Sequence, residues 1–153
     1  MNCKIFITIL ILINFNVFAD NEKQLCEGSN HSKWNNCVGS IAKTGTAYVG
    51  NFKNGLYHGQ GTFTFSDGAT YVGKFKNGKE AGSGTFTCWI HGAVYVGEFM
   101  NGMKHGEGEY RYPDGSVYNG QWALGKKHGS GTYIYPGGKK DIGQFKNDKY
   151  VGS

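Results

Sequence analysis

The chain has 153 residues and a formal charge of +5, from 16 Lys and Arg against 11 Asp and Glu. Its lysines are scattered, with no run longer than two, so the charge favours anionic surfaces without identifying one. Glycine takes 26 positions and proline only two, about 17% Gly against a typical 7%, a bias that leaves either low complexity or a repeat needing Gly at fixed places.

Residues 1–19 differ from everything after them. Lys4 precedes an apolar stretch from Ile5 to Phe18, and Val17-Phe18-Ala19 offers small residues at the two positions a signal peptidase reads. This has the form of a secretory signal peptide, the other reading being a retained membrane anchor. The run is short of the roughly 20 residues a spanning helix needs. Removing Lys4 takes the formal charge from +5 to +4.

Residues 20–47 form an expected N-terminal cap. An oxidising compartment makes Cys26–Cys37 a plausible disulfide closing a short loop, with Cys88 left over. Cys37-Val38-Gly39-Ser40-Ile41 reads as a worn second half of the unit that follows.

From Tyr48 the chain repeats itself. Tyr48-Val49-Gly50-Asn51-Phe52 recurs as Tyr71-Val72-Gly73-Lys74-Phe75, Tyr95-Val96-Gly97-Glu98-Phe99 and Tyr118-Asn119-Gly120-Gln121-Trp122. Asp141-Ile142-Gly143-Gln144-Phe145 is a worn copy, and the steps are 23, 24, 23 and 23 residues. Within each unit Gly59-Gln60-Gly61-Thr62-Phe63 finds counterparts in Gly82-Ser83-Gly84-Thr85-Phe86, Gly106-Glu107-Gly108-Glu109-Tyr110 and Gly129-Ser130-Gly131-Thr132-Tyr133. Asp67-Gly68, His91-Gly92, Asp114-Gly115 and Gly137-Gly138 follow them as turn signals. The units are 48–70, 71–94, 95–117, 118–140 and a partial 141–153.

Strand alternation puts Tyr48, Gly50 and Phe52 on one face and Val49 and Asn51 on the other. Each unit is therefore two short strands, aromatic on one face and mostly polar on its reverse. One hairpin cannot stand alone in water, but stacked units can. An aromatic face on a single-layer sheet is expected to be poorly covered, so it or the open sheet edges would invite self-association.

This grammar resembles the MORN (membrane occupation and recognition nexus) repeat. Tyr48, Gly50, Phe52, Gly55, His58, Gly59 and Gly61 fit its signature, as do Tyr95, Gly97, Phe99, His105, Gly106 and Gly108. So do Tyr71, Gly73 and Phe75, and Tyr118, Gly120, Trp122, His128, Gly129 and Gly131. The resemblance implies an all-β, elongated, meandering antiparallel sheet of stacked hairpins, a single-layer solenoid. It also implies a non-catalytic module that associates with proteins. The second unit departs from the signature. Ala81 stands where the others carry His, and an extra residue falls within Cys88-Trp89-Ile90-His91.

Equivalent His side chains in adjacent units lie roughly 9.5 Å apart, while zinc holds its ligands at about 2.0–2.3 Å. His58, His105 and His128 are thus expected to order their loops by hydrogen bonds to backbone rather than to bind metal. Cys88 and His91 break the pattern as Cys-x-x-His. They fit a buried structural thiol, an intermolecular disulfide or a catalytic pair. Glu107 and Glu109 read as solvated, and Asp67 and Asp114 as turn residues. Lys53, Lys76 and Lys146 share one repeat position and form a broken basic row, a candidate contact for an anionic surface; Lys104 and Lys127 add charge on the loop side. No phosphate loop or nucleophile elbow is present in the sequence.

The expectation is a secreted, periplasmic or extracellular, non-enzymatic interaction protein with an unknown protein partner, no cofactor and no nucleic acid. The alternatives are a binder of anionic membrane lipid or envelope glycan, and an enzyme using Cys88 and His91.

Overall fold

Along Thr46–Lys53 every second residue from Tyr48 is buried, as an alternating strand with one packed face requires. The computed structural model describes residues 23–153; the expected signal peptide lies outside them. The strands are β1 (Cys37–Lys43), β2 (Thr46–Lys53), β3 (Leu56–Thr64), β4 (Thr70–Lys76), β5 (Lys79–Cys88), β6 (Ala93–Met100), β7 (Met103–Arg111), β8 (Val117–Ala123), β9 (Lys126–Ile134), β10 (Lys140–Lys146) and β11 (Lys149–Gly152). They form one open sheet whose spatial order is the chain order, β1 to β11, each pair antiparallel.

Two kinds of turn alternate. The two-residue turns are not the Asp-Gly pairs but Asn54-Gly55 and its equivalents at the other end of the strands. Asn54 and Gly55 have φ of 52° and 72°, the double positive φ of the turn whose twist matches a hairpin. Leu124 takes the same conformation, at φ 51°, where Asn would be more at ease. Asp67-Gly68 sits instead in a longer loop closed by Phe65 N–H to Ala69 O at 2.9 Å. Asp67 Oδ1 accepts from Ala69 N at 3.1 Å, and Asp114 does the same for Ser116 at 2.9 Å, so both carboxylates serve turns as the sequence indicates.

Before β1, a single 3-10 turn (His31–Lys33) leads into Trp34. The Cys26–Cys37 disulfide is present. Backbone bonds from Cys26 N to Val38 O (2.9 Å) and from Val38 N to Gln24 O (3.0 Å) lay this segment beside β1. One edge of the sheet is thereby partly occupied by the chain's own N-terminal segment.

Candidate functional site

Each unit carries a bulge that explains its His–Gly pair. In β2–β3, Gly50 pairs with Gly61 and Phe52 with Tyr57, so His58, Gly59 and Gln60 together face Asn51. Extra residues must bend the strand, and Gly59 absorbs the bend at φ 67°. The same shift recurs in β4–β5, β6–β7 and β8–β9. The tyrosine hydroxyl then finds a backbone carbonyl beside the bulge. Tyr48 donates to Asn51 O at 2.9 Å; Tyr71, Tyr95 and Tyr118 donate to Lys74 O, Glu98 O and Gln121 O at 3.0 Å each.

To reach that carbonyl the ring lies across the paired glycines. A Cβ on Gly61 would sit 2.5 Å from Tyr48 Oη, and one on Gly50 would sit 2.6 Å from it. Burial pushes the Tyr71 and Tyr118 phenols up to about 12 and raises Tyr48 and Tyr95 as well. All four therefore stay protonated, as donors must.

These rings form one unbroken, edge-on series. It runs Trp34, Phe52, Tyr48, Phe75, Tyr71, Phe99, Tyr95, Trp122, Tyr118, Phe145, with successive centroids 4.8 to 5.3 Å apart. The expectation of a poorly covered aromatic face fails here. The four tyrosines are 0% exposed, because each ring is sandwiched between its own glycines and the rings of the next unit. Trp34 covers one end of the series; Tyr150, 5.4 Å from Phe145, stands at the other.

A second aromatic row, toward the Asp-Gly loops, is only half buried. It comprises Phe63, Phe65, Phe86, Tyr110, Tyr112 and Tyr133, with centroids 4.8 Å apart for Phe63–Phe65, 5.8 Å for Phe65–Phe86 and 5.6 Å for Tyr112–Tyr133. Cys88 continues this row. It is buried, pairs with Ala93, and has Phe86 and Tyr110 against it, so it sits outside the disulfide in an apolar slot. His91 lies in the loop beyond, as does Trp89, which is 73% exposed.

Lys104 and Lys127 are not loop-side charges. They occupy the strand position of Tyr57 and lie over rings of the aromatic face. Lys104 Nζ is 4.3 Å from the centroids of both Tyr110 and Trp122, and Lys127 Nζ is 4.5 Å from that of Tyr133. Burial lowers Lys104 to about 8, Asp148 and Lys127 acting on it in opposite directions. Burial also lowers Lys127. Sequence reasoning missed this. The signal was that both lysines stand two residues before a signature glycine, in register with an aromatic.

The remaining candidates lie apart. Lys53, Lys76 and Lys146 are exposed at the ends of β2, β4 and β10, so the first two are in neighbouring hairpins and the third is far along the sheet. Glu109 is not simply solvated: it pairs with Arg111 at 2.7 Å. The expected backbone bonding of the repeat His fails at His105, whose Nδ1 is buried without a hydrogen-bond partner. Among the described residues, no three His, Cys, Asp or Glu side chains gather as a metal site would require.

The arrangement is a single sheet with one face of rings and two ammoniums held over them, suited to binding. The family model described as MORN repeat matches residues 48–70, 71–88, 95–117, 118–140 and 142–153. The second match ends at Cys88, where the longer loop begins. No curated protein matches the chain. With more than half of its residues in five consecutive matches, and with the open sheet of successive hairpins that such repeats build, the chain belongs to the MORN repeat family.

Proposed function

We propose that this chain is a non-catalytic interaction scaffold whose aromatic face receives a protein partner. The observation that carries the reading is the half-buried row of Phe63, Phe65, Phe86, Tyr110, Tyr112 and Tyr133, on a sheet with no second layer among the described residues. Tyr and Trp dominate interface energetics when they are held rigidly and partly exposed. Lys104 and Lys127 stand beside the row, already stripped of part of their hydration, and would meet carboxylates of the partner. Residues 23–47 act as the cap of the array, with Trp34 closing the ring series. The Cys26–Cys37 disulfide fits an oxidising compartment, in keeping with a secreted, periplasmic or extracellular protein.

The test is affinity capture by residues 20–153 from a native envelope extract at low and high salt, followed by hydroxyl-radical footprinting of the recovered complex. One discrete protein that survives salt and protects Tyr110, Tyr112 and Tyr133 supports the reading. Recovery of anionic lipid alone, lost in salt, sinks it.

A second reading, binding at a membrane surface, is favoured by Trp89 and Ile90, both exposed in one loop. Interfacial Trp prefers the headgroup level. A shift of Trp89 emission on adding anionic vesicles, absent in Trp89→Ser, would support it.

A further inference from the structure

The second unit departs from the third and fourth at one reverse-face position, and from all three siblings at a neighbouring one. In the first unit Asn51 holds the former place and donates from Nδ2 to Gln60 O at 2.9 Å. In the third and fourth units the bulge amide receives a side-chain oxygen. Glu107 N donates to Glu98 Oε1 at 3.4 Å, and Ser130 N donates to Gln121 Oε1 at 3.0 Å. In the second unit Lys74 holds the place of Glu98 and Gln121. An ammonium has no acceptor, so Lys74 offers nothing to the corresponding amide of Ser83. Its stem lies instead over the bulge glycine, where a Cβ on Gly82 would sit 3.4 Å from Lys74 Cδ.

Ala81 is the other departure. His58, His105 and His128 fill this bulge position in the other units, and alanine leaves it hollow. Two open depressions, about 580 Å³ and about 370 Å³, meet at Lys76, Ala81 and Gly82. Lys79 lines the larger and Lys74 the smaller. Lys76 and Lys79 are direct cross-strand partners. Among the described residues the only ion pair is Arg111–Glu109, so none of these three ammoniums lies within ion-pairing distance of a carboxylate; the nearest in register on this face is Glu98, the cross-strand partner of Ser83.

We propose that the second unit binds a phosphate group beside the Lys74 stem, accepting from the Ser83 amide as Glu98 accepts from that of Glu107 in the third unit. The third unit is the template: there a carboxylate sits on the bulge amide, supplied by the chain. In the second unit the backbone has the same bulge, the internal oxygen is replaced by a cation, and space has been opened beside it. Three lysines supply point charges for a dianion, and the Ser83 amide supplies the donor. The site is on the face opposite the aromatic row, so its failure would leave the scaffold reading untouched. The phosphate comes from a soluble ester or from a phospholipid headgroup.

The test titrates pyrophosphate into the protein at about pH 8, where an imidazole of ordinary pKa is neutral, and follows the amides of Gly82 and Ser83 by NMR. Ala81→His keeps all three lysines and installs the residue that the other units carry. Lys74→Glu restores the internal oxygen. The wild type is expected to show saturable shifts at Gly82 and Ser83. Ala81→His should bind about tenfold more weakly, a change of about 1.4 kcal/mol, and Lys74→Glu should show no saturation. The proposal is overturned if the wild type gives no saturable shift at these amides, or if Ala81→His binds as the wild type does, since diffuse charge alone would then suffice. Flotation with phosphatidylcholine vesicles, with and without phosphatidic acid, separates the sources. Flotation that needs phosphatidic acid and is lost in Lys74→Glu assigns the headgroup; pyrophosphate binding without flotation assigns a soluble ester.

Discussion

The ring of Tyr71 rests on Gly84 of the adjoining strand, close enough that a Cβ there would fall 2.5 Å from Tyr71 Cε2. The contact exists because the hydroxyl must cross the glycine pair Gly73–Gly84 to reach Lys74 O. Gly84→Ala should therefore force the ring out of the series between Phe75 and Phe99, at a cost of about 1–3 kcal/mol, the usual range for overpacking. Urea denaturation measures it; an unchanged midpoint would mean that the ring does not need the glycine.

Tyr71→Phe tests the hydrogen bond separately from the packing. The ring keeps its edge-on contacts, 5.1 Å to Phe75 and 4.8 Å to Phe99, while the Lys74 carbonyl loses a donor. The expected loss is about 1 kcal/mol, smaller than that of Gly84→Ala.

The lysine over the rings predicts a pH dependence. Lys104 titrates at about 8 in the folded chain against roughly 10.4 when unfolded. Between those values the unfolded chain binds more protons, so stability rises with pH through this window and is lost as pH falls through about 8. Cation–π attraction to Tyr110 and Trp122 favours the charged form and opposes the effect. Solvent screening reduces it further, to about 1 kcal/mol. The raised tyrosines act the other way above about pH 10, where the unfolded chain begins to ionise. Wild type should thus gain stability between pH 8 and pH 10, and Lys104→Met should gain less; parallel profiles would refute the assignment.

Loss of the disulfide should act locally. Cys26→Ser with Cys37→Ser releases a link across 11 residues, worth about 2–4 kcal/mol to the segment it ties. Hydrogen exchange should lose protection at Cys26 and Val38, whose amides bond across the junction, while Val96 and Asn119 in the middle of the array keep theirs. Uniform deprotection would show that the cap governs the whole sheet.

The strand pairs and the packed face were legible because two-residue alternation and a fixed step leave a direct trace in residue order. The Tyr-x-Gly spacing likewise put each ring and its glycine on one face. Where the rings end up was not legible. Whether Tyr48 is exposed depends on Phe75, 27 positions away, and that geometry follows from the bulge at His58-Gly59, which looks in sequence like one more Gly pair. Lys104 and Lys127 were misplaced for a related reason. Their charge argued for solvent, but a long aliphatic stem lets an ammonium stand above an aromatic surface. Ala81 was visible as a departure, yet the hollow needed Lys74 beside it before it had any chemistry.

The order of the strands has a kinetic consequence. Because β1 to β11 meet only in succession, each strand pairs with the strands next to it in chain order, and the sheet can grow by closure of one hairpin against the last. A nucleus in any unit can extend toward both ends. An all-β protein is usually slow to fold because distant strands must find one another; here short loops supply each partner, and lengthening the array by a unit would add one more local step rather than a harder search.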